Sequence, residues 1–128
     1  MEKSVIIHGH FYQPPRINPW SGILLKQESA APADNWNERI LNECYLPNTM
    51  AKIPSSHGSM VEVNNFEIIS FDIGPTLFRW IVENYVDAYR EIVEADRKSQ
   101  NAIALPYNHT ILPLDNEILQ KAQILWGM

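Results

Sequence analysis

Two histidines one residue apart, His8 and His10, stand directly after a short apolar run. A third, His109, follows a second such run late in the chain. Imidazole can donate to and accept from hydroxyls, bind a metal ion or move a proton. Residues two apart on an extended chain face the same side. His8 and His10 can therefore enter one pocket together, and Gly9 between them leaves room for a close approach. Asp72 also ends an apolar run. It can serve the same rim, or it can cap the helix that begins near Pro75. A zinc site needs at least three ligands, and His8, His10 and His109 could supply them as in a metal-dependent hydrolase. Glycoside hydrolysis instead needs two carboxylates flanking the scissile bond. Asp72 is the only carboxylate at an expected strand end, and Glu67 falls inside a strand. The chain offers a rim without an acid–nucleophile pair, so no catalytic residue is assigned.

Other reactive side chains weigh less. His57 sits in a Ser/Gly turn and reads as a solvated loop residue. Trp36, Trp80 and Trp126 stand at helical spacing beside aliphatic residues and read as core. Trp20, in a proline-rich loop, is the candidate stacking platform. Cys44 has no neighbour that would activate a thiolate and reads as an inert buried thiol.

These residues need elements to hold them. Ser4 to Ile7 is short, apolar and β-branched, which predicts a buried strand ending at the His-x-His pair. Pro14, Pro15, Pro19 and Pro32 exclude a continuous helix or central strand after it. A short helix is predicted from Asn35 to Cys44, with Asp34 or Asn35 as its cap and Trp36, Ile40, Leu41 and Cys44 on its apolar face. Ser55 to Ser59 reads as a turn, with a hairpin tip as one form, before Met60 to Asn64. A second strand is predicted over Phe66–Phe71. Pro75 then suits the first position of a helix reaching about Lys98. Its stripe runs through Phe78, Ile81, Val82, Tyr85, Tyr89, Ile92 and Val93. A third strand, Ala102–Leu105, leads to Tyr107, Asn108 and His109. A last helix from near Asp115 turns Ile118, Leu119, Ala122, Leu125 and Trp126 inward. Strands alternating with helices predict an α/β fold with parallel pairing. Ligands of such folds bind beyond the carboxyl ends of the strands, where His8, His10, Asp72 and His109 would meet.

Composition sets the outer limits. The chain has 128 residues, 10 basic and 15 acidic, with a formal net charge of -5. That length suits a single domain, residues 1–128, and falls short of the about 250 residues typical of a complete barrel enzyme. Without a Lys/Arg cluster, nucleic acid is not an expected partner. No apolar run approaches the about 20 residues of a membrane span, and the start lacks a signal peptide's apolar region. One cysteine among 128 residues fits a reducing compartment, so a cytoplasmic location is expected.

The segment His8-Gly9-His10-Phe11-Tyr12-Gln13-Pro14-Pro15-Arg16, followed by Asn18-Pro19-Trp20, resembles the N-terminal signature of family 57 glycoside hydrolases, in the alpha-amylase/alpha-mannosidase-like subgroup. The resemblance continues through Trp36-Asn37-Glu38-Arg39-Ile40, Ser70-Phe71-Asp72-Ile73-Gly74-Pro75-Thr76-Leu77 and Asn108-His109-Thr110-Ile111-Leu112-Pro113-Leu114. It implies the first three strand–helix units of an incomplete (β/α)7 TIM-like barrel with parallel strands. It also implies a retaining hydrolase of α-linked glucans, with His8 and His10 in the substrate subsite and His109 at the end of the third strand. Together with Trp20 these are the expected substrate-binding residues. The family's catalytic carboxylates have no counterpart here, so a truncated chain, inactive alone, is implied. No cofactor and no metal ion is called for on this reading. A metal-dependent hydrolase fragment and a non-catalytic, oligosaccharide-binding remnant stand as alternatives. Three parallel strands cannot close a barrel. An α-glucan or oligosaccharide is the implied ligand, and a complementing chain or a second copy is expected to cover the open sheet edge.

Overall fold

A computed structural model describes residues 3–128. The pairing that matters for the site is only four residues long. Strand β1, His8–Phe11, lies parallel to β4, Ser70–Ile73, with His8 opposite Ser70 and His10 opposite Asp72. The Phe11 carbonyl accepts from Gly74 N–H at 2.7 Å, and the Ile7 carbonyl from Ser70 N–H at 3.2 Å. Ala102 adds a single parallel bridge to Phe71 on the far side of β4.

The other strands form a separate sheet. β2, Ala51–Pro54, and β3, Met60–Val63, pair antiparallel. Ser55 N–H donates to the Ser59 carbonyl at 2.8 Å. Gly58 closes the turn at φ +80°, a conformation that costs glycine little.

Helix α1, Trp36–Ile40, starts at Asn35, whose side chain accepts from Glu38 N–H. It runs through a π-helical turn, Leu41–Tyr45, into α2, Leu46–Thr49. Leu46 N–H reaches back five residues to the Leu41 carbonyl. Pro47, inside α2, has no N–H to give, and the wider turn absorbs that break in the ladder.

The predicted long helix is two helices. α3, Pro75–Asn84, and α4, Val86–Ser99, meet at Tyr85 with φ -138° and ψ 60°. Asn84 Nδ2 donates to the Trp80 carbonyl at 2.8 Å, a local bond of the kind that competes with the helix ladder. The bend lets both helices bury a face. Leu77 and Ile81 come from α3, and Ala88, Ile92 and Ala95 from α4.

Phe66 centres the core. It is fully buried, with ring centroids 5.0 Å from Phe11 and 4.9 Å from Phe71. It sits in a 3₁₀ turn, Asn65–Glu67, where the Asn64 side chain accepts from Phe66 N–H. Burying one such side chain contributes about 1.5–3 kcal/mol. Thr76 donates its hydroxyl to the Gln13 carbonyl and so ties the chain leaving β1 to the first turn of α3.

Several expectations are corrected. The chain is a small α/β domain with two separate two-stranded sheets, one of them antiparallel. It is not a run of parallel (β/α) barrel steps. The third predicted strand contributes only Ala102, because its ladder ends after Ile103 N–H donates to the Phe71 carbonyl. The predicted strand Ser4–Ile7 lies outside the ladder, and the histidines themselves form β1. Phe66 belongs to a turn and not to a strand. Helix α5, Glu117–Gly127, is capped by Asn116, not Asp115. Its residues Ile118, Leu119, Leu125 and Trp126, expected inward, are exposed, because no layer of the described residues packs over them. No helix among the described residues is long and apolar enough to cross a membrane.

Candidate functional site: a histidine–aspartate relay

The parallel register sets the site. His10 lies opposite Asp72, and His8 lies one pair earlier. All three side chains share the period-two face of the sheet. Asp72 therefore reaches both imidazoles. Its Oδ1 is 2.6 Å from His10 Nδ1, and its Oδ2 is 3.3 Å from His8 Nε2. The Asp72 side chain is only 15% exposed, whereas His8 and His10 are 38% and 48% exposed. The carboxylate forms the floor and the imidazoles form the rim. Asp72 does not cap α3, whose start has no side-chain cap. The cap reading of Asp72 gives way to the rim reading.

The cluster extends at both ends. Ser70 Oγ lies 2.9 Å from His8 Nδ1. His109 Nε2 lies 2.9 Å from His10 Nε2. Tyr12 stacks on His109 with ring centroids 4.0 Å apart, and its ring is 6.2 Å from that of His10. His109 itself is held at φ 54° in a turn where its N–H donates to the Pro106 carbonyl at 2.8 Å. This left-handed conformation is uncommon outside glycine, though histidine is enriched there among other residues. It aims the imidazole back at β1 from a loop 99 residues away in sequence.

The proton positions follow from donor logic. An ionised carboxylate only accepts, so His8 Nε2 and His10 Nδ1 carry their protons toward Asp72. Neutral His10 then presents a bare Nε2, which accepts from His109 Nε2–H. Neutral His8 presents a bare Nδ1, which accepts from the Ser70 hydroxyl. The result is one unbroken chain, Ser70–His8–Asp72–His10–His109. A carboxylate behind an imidazole fixes its tautomer and favours the charged ring when it takes a proton.

The arrangement does not bring three metal ligands together. Both ring nitrogens of His8 are engaged, by Ser70 and by Asp72, which leaves only His10 and His109 converging. Among the described residues no group of three or more His, Cys, Asp or Glu side chains is placed to hold a metal ion. The three-histidine zinc reading is corrected on that geometry.

The remaining candidates lie apart. Trp20 is 91% exposed in the turn following Asn18, whose side chain accepts from Trp20 N–H. No hydrogen bond or ring contact joins it to the histidines. Trp36 packs under the Arg39 guanidinium at 4.9 Å and donates from Nε1 to Ser29. Trp126 is exposed rather than core. Cys44 is half-buried, and burial, helped by Glu43, pushes its thiol pKa up. Burial holds the Tyr45 phenol well above its ordinary range, with Cys44 and Asp72 adding to the effect. Ser70 and Tyr12 were not among the sequence candidates. The signal for Ser70 is its place two residues before Asp72 on the same strand, and for Tyr12 its place two residues after His10.

The comparisons with known proteins bear on the glycosidase resemblance. No family model matches the chain, and no curated protein or solved structure matches it either. With the barrel absent as well, the family 57 assignment and its α-glucan activity are withdrawn. What stands is the geometry of a small α/β domain that gathers three histidines and one aspartate on a single rim.

Proposed function

We propose that the chain carries an acid–base centre in which His10 Nε2 is the proton-accepting atom. Asp72 orients His10 and stabilises the imidazolium that forms, and the substrate takes the place of His109 Nε2–H, which occupies that nitrogen in the free protein. His8, braced by Ser70, holds the second oxygen of Asp72 in place. The observation that carries this reading is the unbroken hydrogen-bonded chain from Ser70 to His109. The open rim supports it, since a substrate can reach His10 from the solvent side. The substrate is a small polar molecule able to lose or share a proton. A cytoplasmic setting belongs to the same reading, supported by the single free cysteine.

General acid–base catalysis by one positioned side chain contributes about 10²–10⁴-fold. An activated ester such as p-nitrophenyl acetate reports the bare His10 Nε2 without knowledge of the natural substrate: that nitrogen attacks the acyl carbon, p-nitrophenolate leaves, and water then releases acetate from the acyl-imidazole. The folded chain should hydrolyse it at least about tenfold faster than the same concentration of free imidazole. His10→Ala should remove that excess, and His57→Ala should not. A wild-type rate no greater than that of imidazole sinks the proposal.

A further inference from the structure

The chain as a whole leaves more surface unburied than a fold of its mass requires. The chain exposes 9245 Å². A self-contained fold of its 14.8 kDa mass exposes about 7,000 Å². The difference is roughly 2,000 Å², more than the about 800 Å² that each partner gives to an interface of ordinary size. The most exposed β-branched run leads into the open edge of β1: Val5 is 90%, Ile6 85% and Ile7 64% exposed.

Between Lys3 and Pro14 the edge carries none of the residues that keep monomers apart. Natural edge strands are blunted by proline, by lysine or by a bulge. From Ser4 to Gln13 there is no proline, lysine, arginine or carboxylate. The backbone direction is fixed too. The carbonyls of Ile7 and Phe11 both point to the β4 side, where Ser70 and Gly74 donate to them. Backbone groups alternate sides along a strand. Those of His8 therefore point to the open side, and continuing β1 backward by two residues brings those of Ile6 to the same side.

We propose that a second copy of this chain pairs antiparallel along that side, about a two-fold axis at Ile6. In this register Ile6 meets Ile6 as a hydrogen-bonded pair, Val5 meets Ile7, and Ser4 meets His8. β-branched residues then face β-branched residues across the pair, which favours cross-strand packing. No like charges meet, because Lys3 falls opposite Gly9. A two-fold contact of this kind closes on itself and stops at the dimer. Each copy also brings its Ser4 beside the His8 of the other.

Light scattering on the full chain at about 50 µM tests this. The expected mass is twice that of one chain, falling to a single chain in Ile6→Lys, which sets two charges at the axis. Ile6→Thr, neutral and β-branched, should stay dimeric. Circular dichroism must show both variants folded; if Ile6→Lys is not, the cross-link below decides. In Cys44→Ser/Ile6→Cys, oxidation should give a covalent dimer, since the hydrogen-bonded pair spaces its Cα atoms by about 5.5 Å, within disulfide reach. Cys44→Ser/Ile53→Cys should give none. A wild-type monomer, an open-ended aggregate, a dimer that survives Ile6→Lys, or a failure of residue 6 to cross-link each overturns the proposal.

Discussion

Replacing Asp72 with asparagine separates two things the carboxylate does. Asp72 accepts from His10 at 2.6 Å and from His8 at 3.3 Å. Asparagine has one oxygen and one NH₂ group. The shorter contact takes the oxygen, so His10 keeps its proton on Nδ1 and its bare Nε2. The NH₂ group then faces His8, which shifts its proton to Nδ1. Ser70 tolerates this, because a hydroxyl accepts as readily as it donates. Tautomer and fold survive, and the negative charge is lost. That charge faces the imidazolium formed during proton transfer, at a separation of charge centres taken as about 4 Å. Its interaction is about 1 kcal/mol at the dielectric constant of water and about 4 kcal/mol at an effective value of 20. With the imidazoles partly exposed, the lower part of that range applies. One order of magnitude corresponds to about 1.4 kcal/mol, so Asp72→Asn should slow ester hydrolysis about tenfold. Asp72→Ala should slow it further, because His10 also loses its orientation. The assay is the second-order rate constant with p-nitrophenyl acetate at neutral pH, with thermal unfolding as the control for fold. An Asp72→Asn rate within twofold of wild type refutes the role of the charge.

Three other outcomes follow from the structure. Burial raises the Cys44 pKa, so the reactive thiolate is scarcer at neutral pH and appears only at higher pH than for a free thiol; iodoacetamide labelling at pH 7.5, read by mass spectrometry, should run slower than for free cysteine, and an equal or faster rate contradicts this. A Cβ at Gly9 would lie 2.6 Å from Phe11 Cε2, so Gly9→Ala pushes the Phe11 ring into Tyr45 and Phe66 and should cost about 1–3 kcal/mol; an unchanged denaturation midpoint counts against this packing. Asn35→Ala removes the bond to Glu38 N–H and should destabilise the helix carrying Leu41 and Tyr45 by about 1 kcal/mol, measurable by urea unfolding, and no loss would show that the cap is not used.

Local chemistry was legible wherever one residue decides the outcome. Asn35 caps a helix, Pro75 opens one, and the Ser/Gly turn at 55–59 closes a hairpin, all from short-range rules. Long-range pairing was not legible. The run Val5–Ile7 has the composition of a buried strand, yet strand formation depends on a partner, and β4 pairs one step later with the histidines. The same holds for Ala102–Leu105, where one bridge replaces a strand. The apolar stripe of the predicted 75–98 helix continues across Tyr85, so periodicity does not register the bend. On the site, the spacing of His8 and His10 correctly puts them on one face. The partner that organises them is Asp72, which a sequence can equally spend on a helix cap. Only the register of β1 against β4 decides between the two. The resemblance to a glycosidase family does not hold, because no family model matches the chain and its strands form two separate sheets in place of barrel steps.

The relay itself can be observed through the imidazole nitrogens. Long-range ¹⁵N–¹H spectra of the histidine side chains at neutral pH report which nitrogen carries the proton. The account predicts a single fixed tautomer for His10, protonated on Nδ1, and for His8, protonated on Nε2, with His57 showing the mixture of a free side chain. His8 and His10 spectra that match His57 would contradict it.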